Sequence, residues 1–332
     1  MVAMTAATAP DETVIRESVA LASRAPSLHN SQPWRWVAEA DTLQLWADRA
    51  RSMPATDHAG RELILSCGAV LDHLRVAMSA AGWDSVTERM PDRGNPDHLA
   101  TLRFHPMQAV TASQRHRADA IGQRRTDRLP FDPVAQWAAI EPVLRHAAVR
   151  YDVLLHVVAD DGRAALAEAS RLTENLRRSD TTYMSELRWW TSPFSSNADH
   201  APEGALLSTS EASRVDVARS FPPAGGGRRR SAIEHDQSKI VVLSTDSDDL
   251  CDVLRCGESL SAVLLECTMA GLATCTLTHM TEMAMSRNII AEIVQTTSLP
   301  QLLIRIGKSP GHDQHVERSG RRPVDDVLEF RL

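Results

Sequence analysis

Apolar residues recur at helical spacing in two stretches that resemble each other. Residues 68–82 are GAVLDHLRVAMSAAG and residues 257–271 are GESLSAVLLECTMAG. Each opens with Gly and closes with Ala-Gly; Leu71 aligns with Leu260 and Leu74 with Val263. The spacing predicts two helices, the second apolar nearly all round and therefore buried, each ended by a C-capping glycine. Helical spacing also marks DETVIRESVALASRA (11–25) and residues 112–124. Elsewhere the period shortens to two. WRWVAEADTLQLWAD predicts a hairpin over 34–48, turning at EAD. LATLRFHP (99–106), YDVLLHVVA (151–159), KIVVLST (239–245) and LPQLLIRIG (299–307) predict further strands. One plan is thus used twice. It predicts an α+β fold in two duplicated halves, 1–110 and 111–332, whose long helices pack on each other as in a fused dimer.

Three stretches break the pattern. SRAPSLHNSQPWRW (23–36) joins a helix to a strand. Its prolines fix two φ angles, and Ser27, Asn30 and Ser31 favour turns, so it is a stiff polar loop. By residue type alone it is either an ordinary connection or a ligand contact. IGQRRTDRLPFD (121–132) places Arg124, Arg125 and Arg128 around Thr126, with Arg124 and Arg128 predicted on one helix face. Guanidinium groups beside a hydroxyl suit a phosphate; a solvated basic helix end has the same composition. The third stretch, about 180–237, is rich in Pro, Gly and Ser, with a short helix near 182–190. Trp189, Trp190, Pro193 and Phe194 are too apolar for open water, which predicts a lid. Its GGGRRR (225–230) offers the arginines no fixed geometry and reads as a flexible part of that lid.

Composition narrows the function classes. The 332 residues suffice for one large core or two, and the 43% hydrophobic and 24% charged content is ordinary for a globular protein. A net charge of −7 opposes a dedicated nucleic-acid binder. No apolar run approaches the ~20 residues of a membrane span, and the start lacks signal-peptide features. Five cysteines without a CxxC pair fit reduced thiols, so a cytoplasmic location is expected. HExxH, GxSxG and a strand-borne GxGxxG do not occur, His73, His105, His116 and His146 are scattered, and no metal is expected.

The stretches together resemble the flavin-dependent nitroreductase family. APSLHNSQPW is similar to that family's A-P-S-x-x-N-x-Q-P-W loop, and RRTDRLPFD to its R-R-[ST]-x-R-x-F segment. GESLSAVLLECTMAGLATCTLTHM resembles its interface helix and following strand. IGKSPGHDQHVERSGRRPVDDVLEF resembles its C-terminal tail. The single-chain layout with an insertion resembles the Acg branch of mycobacteria. The resemblance implies one flavin mononucleotide per chain, held between halves that mimic a homodimer in a monomer, the second site having decayed. It implies phosphate contacts from Arg124, Arg125, Thr126 and Arg128, aided by Arg321 and, more weakly, Arg318. It implies ring or ribityl contacts from Pro26, Ser27, Leu28 and Asn30, and from Thr276, Leu277 and Thr278. Trp189 and Trp190 would belong to the lid. No side chain is expected to be catalytic, because the flavin carries the chemistry. Two functions stay open: NAD(P)H-dependent two-electron reduction of nitro or quinone-type acceptors, or flavin storage beneath a closed lid.

Overall fold

The computed structural model describes residues 9–191, 203–222, 227–310 and 318–331. Pro193, Phe194 and two glycines of GGGRRR lie outside the described residues. The chain begins with helix α1 (Glu12–Ala22), whose first turn is capped by the Asp11 side chain. The hairpin follows as β1 (Trp34–Glu39) and β2 (Thr42–Ala47), then the long helix α2 (Arg61–Ala80), β3 (Trp83–Arg89) and β4 (His98–Pro106). The second part holds α3 (Ala112–Gln123), α4 (Trp137–Val149), β5 (Leu154–Val157) and α5 (Arg163–Arg177). The insertion contributes α6 (Thr181–Trp190) and the single turn α7 (Thr209–Ala212). Then come β6 (Lys239–Thr245), the long helix α8 (Leu250–Met269), β7 (Ala273–Leu277), α9 (Ala284–Ile293), β8 (Leu299–Gly307) and β9 (Leu328–Arg331).

Two sheets result, in the order β3-β4-β2-β1-β9 and β5-β6-β8-β7. Every pairing is antiparallel except that of β1 with β9, where Trp36 stands opposite Leu328. The last strand therefore leaves the second sheet's part of the chain and joins the first sheet. The strand directly after each repeated helix is β3 or β7; the sequence pattern places strands there only at 99–106 and 299–307. β3 reads WDSVTER, and its polar, half-exposed positions hide the alternation.

The two repeated helices pack on each other, and their aligned opening glycines explain how. A Cβ on Gly68 would lie 2.8 Å from Gly257 Cα and closer still to Leu254 O. A Cβ on Gly257 would meet Gly68 Cα at 2.8 Å and Leu65 O. The helix axes approach so closely that only glycine fits at the crossing. Apolar residues of both helices and both sheets then form one continuous core around Leu71, Leu74, Val263 and Leu264. Helix α2 is long and apolar enough to cross a membrane, contrary to the reading that no run approaches that length, but 83% of the relevant window is buried in the core.

The arginine-rich stretch departs from its expected geometry. Helix α3 stops at Gln123, and Arg124 adopts extended backbone (φ −57°, ψ 131°). Thr126 forms a bridge with Thr274, so Arg124 and Arg128 do not share a helix face. GGGRRR departs further: two of its arginines, Arg229 and Arg230, have fixed partners. Arg229 donates to the Glu211 carboxylate, and Arg230 donates to Asp127 at 2.6 Å and to Pro130 O at 3.1 Å. Buried carboxylates supply the geometry that the glycines cannot.

Candidate functional site

The loop after α1 is held in a strained form. His29 (φ 46°), Asn30 (φ 57°) and Gln32 (φ 49°) are left-handed non-glycine residues, a conformation that clusters at functional sites. Ser27 Oγ accepts the Gln32 N–H at 3.0 Å, and Leu28 N–H donates to Ser66 Oγ of α2 at 3.1 Å. The Leu28 amide is thus already engaged within the protein. Asn30 Nδ2 donates to Gly320 O at 3.2 Å, tying the loop to the C-terminal tail.

Two adjoining chambers open on this loop and share Pro26, Ser27, His29, Thr126 and Arg128 as walls. The polar one spans about 1280 Å³ including its open mouth, and is lined by Arg24, Asn30, Arg124, Arg125, Arg318 and Arg321. The other, about 880 Å³ on the same measure, is more apolar. Leu65 and Ser66 of α2, Leu260 of α8, Thr276, Leu277 and Thr278 from the end of β7, and Phe221 of the insertion face it. Nearly all the residues singled out in the sequence therefore meet in one cleft, with Asn30 and Arg124 on the same wall.

The polar chamber holds cations without anions. Arg124 donates to Arg24 O at 3.0 Å, and Arg321 to Ser23 O at 2.8 Å and Arg24 O at 3.2 Å. No carboxylate among the described residues pairs with Arg24, Arg124 or Arg321, and the Nε atoms of Arg24 and Arg124 have no partner. Burial, then the neighbouring Arg24 charge, pushes Arg124 down to about 10. Burial, then Arg124 and Arg24, pushes Arg321 down to about 9. Like charges gathered in a half-dry pocket call for an anion. Arg128 is different: its guanidinium sits 5.2 Å from the ring centres of both Trp190 and Phe221, a cation–π clamp rather than an open cation. Arg125 is half exposed, 3.8 Å from Asp127.

Trp190 is 4% exposed and stacks on His29 at 5.0 Å, whereas Trp189 is 49% exposed. Of the two tryptophans, one folds over the cleft and the other faces water; helical spacing puts Tyr183, Leu187 and Trp190 on the buried face of α6. The opposite anchor is Glu186, which accepts from Ala55 N, Thr56 N and Thr56 Oγ1 of the first part of the chain. His29, Arg24, Glu62, Arg219 and Phe221 also line the cleft and were not singled out by the sequence. His29 and Arg24 lie within the stiff loop or beside it; the rest reach the cleft only through tertiary packing. Burial, reinforced by Arg219 and Arg128, keeps His29 neutral, and both its ring nitrogens lack partners.

No known family's sequence profile matches the chain. Individual proteins of Mycobacterium tuberculosis strain H37Rv do, two of them at about half identity. One, "Uncharacterized protein Rv3127", is 52% identical over 322 residues, covering 96% of this chain and 93% of its own. The other, "Putative NAD(P)H nitroreductase acg", is 49% identical over 318 residues, covering 96% of both. The chain belongs to the nitroreductase family, in its Acg-like branch. A solved relative in fold, the FMN and NADPH-dependent nitroreductase NfnB of Sphigopyxis, is 17% identical and covers 65% of this chain and 98% of its own, with a TM-score of 0.40. Membership of the nitroreductase family accounts for the α+β fold.

Proposed function

We propose that this nitroreductase-family chain holds one flavin mononucleotide in the double cleft and uses it for NAD(P)H-dependent two-electron reduction of nitro or quinone-type acceptors. The observation that carries the reading is the cluster of buried Arg124 and half-buried Arg24 and Arg321, where Arg124 and Arg321 donate to backbone carbonyls and none of the three has a carboxylate among the described residues. A phosphate would supply the missing charge there. The adjoining apolar chamber fits a planar ring. When bound, the flavin supplies the redox chemistry. The chain's own residues bind and orient it: Arg124 and Arg321 at the phosphate, Thr126, Ser27 and Asn30 along the connecting wall, and Thr276 to Thr278 beside the ring. Two halves of one chain would then do what two subunits of a dimer do, in a monomer.

A second reading is favoured by the closure of the insertion. Trp190, Phe221 and Arg128 interlock over His29, and Glu186 fastens α6 to the first part of the chain. A lid this well tied shelters a bound flavin and slows access, which is the behaviour of a store. Purified protein should carry one flavin mononucleotide per chain, measured by absorbance after release. The Arg124→Ala, Arg321→Ala double variant should bind it at least about a hundredfold more weakly; unchanged binding would refute the phosphate assignment. Anaerobic mixing with NADPH separates the readings. Rapid bleaching of the flavin band supports reduction, and a persistent band supports storage.

A further inference from the structure

Glu62 lies in the first turn of α2 and is 2% exposed. Among the described residues it is the one acidic side chain lining the apolar chamber. Its Oε1 is 3.5 Å from Arg61 Nη2, and its Oε2 has no partner. The two arginines that act on it are engaged elsewhere. Arg61 donates to Gln301 O at 2.6 Å, to Gln301 Oε1 at 2.9 Å, and to Thr281 O and Oγ1 at 3.1 and 3.0 Å. Arg219 donates to Glu282 and, at 3.0 Å, to Thr278 Oγ1. A buried carboxyl with one vacant oxygen, whose one ion pair is the long 3.5 Å contact to Arg61, is costly to ionise. Burial and then the Glu282 charge raise it to about 8, against Arg61 and Arg219 and with a further push from Asp57. Arg128 and Arg305 also line the chamber, but Arg128 is clamped between rings and Arg305 is paired with Asp236. That raised value favours the protonated carboxyl near neutral pH, and the protonated form offers an O–H donor to the chamber.

We propose that Glu62 is the hydrogen-bond donor with which the apolar chamber recognises its ligand, a planar heteroaromatic ring that carries carbonyl acceptors. The inference rests on the flavin reading and deepens it by naming a specificity-determining residue. A protonated carboxyl on this largely apolar wall selects an acceptor atom on a planar, largely apolar body, because either group left without the other would be unsatisfied.

The test uses the full chain and lumiflavin, the flavin ring without its ribityl phosphate, so that the arginines of the polar chamber do not enter. Binding is followed by flavin fluorescence between about pH 7 and about pH 9. Wild-type affinity should fall about tenfold across that interval as the carboxyl ionises. Glu62→Gln keeps an N–H donor, and its affinity should stay level within about twofold. Glu62→Ala should bind at least about tenfold more weakly near neutral pH, with no further change on raising it. If Glu62→Ala does not fold, the Gln variant alone decides. A level wild-type profile overturns the proposal, as does affinity that rises with pH, the same fall in Glu62→Gln, or no lumiflavin binding at all. Flavin mononucleotide is titrated in parallel: its failure to bind near pH 7 sinks the flavin reading itself, whereas its binding alongside any of those results sinks only the role of Glu62.

Discussion

Arg124 and Arg305 are both buried arginines in opposite chemical situations. Arg305 is fully buried and donates to both oxygens of Asp236, at 2.7 and 3.1 Å, while that carboxylate also receives Phe131 N–H and Arg163. Burial alone would raise the Asp236 carboxyl, but the Arg305 charge and hydrogen bonds hold it below its ordinary value. A depressed carboxyl adds stability that is present above its unfolded pKa and is lost as pH falls through the folded one. Thermal melts should therefore show this contribution vanishing only under strongly acidic conditions. Asp236→Ala strands the Arg305 charge and should destabilise the fold by about 3–5 kcal/mol in denaturant titration. Arg124 has no such partner, so its loss should leave the melting temperature nearly unchanged while flavin binding collapses. The contrast was only half legible in the sequence. Arg124 stood out because Arg125, Thr126 and Arg128 surround it, whereas Asp236 and Arg305 are distant in the chain and each looks ordinary where it stands.

Among the elements, periodicity served where one face meets the core. The hairpin and the strands at β4, β6 and β8 lie close to where alternation placed them, and the two long helices end close to where helical spacing placed them but begin earlier, at Arg61 and Leu250 rather than Gly68 and Gly257. It failed at β3, which is polar and half exposed, and in the arginine stretch, where pairing of Thr126 with Thr274 overrides helical continuation. It also cannot tell which of two adjacent tryptophans is covered; packing against His29 and Phe221 decides for Trp190. Helix α6 yields a prediction of its own. Glu186→Ala removes the acceptor for Ala55 N–H and Thr56 N–H, so α6 should detach more often without global unfolding. Trypsin cleavage at Arg188 should accelerate several-fold, by about the factor expected for losing ~1 kcal/mol or more of local stability, while the melt shifts little. The helix crossing is less forgiving. Gly68→Ala or Gly257→Ala drives a methyl into backbone that has no flexible end to yield, and should destabilise by roughly 2 kcal/mol or more in denaturant titration.

At the scale of the molecule, the crossing shows how the two halves are related. Gly68 meets Gly257 and Leu254 O; Gly257 meets Gly68 and Leu65 O. Aligned residues of the two stretches contact one another reciprocally, as residues do across an isologous contact. The aligned pair Asp72 and Ser261 is hydrogen-bonded in the same interface, beside His73. This relation was visible beforehand as two similar fifteen-residue stretches. The return of the last strand to the first sheet was not, because LEFR is too short and mixed to announce a neighbour three hundred residues away.

That returning strand brings the two ends of the described chain together. Ala9 and Arg331 border the same surface groove, and Arg16 reaches Asp325 at 2.5 Å and lies over the Phe330 ring. A short peptide could therefore join the end of β9 to the start of α1, and new termini could be cut in the largely exposed link at 107–111. Such a circular permutant would start with α3 and the part that carries the insertion and finish with β4, yet every pairing in both sheets would survive.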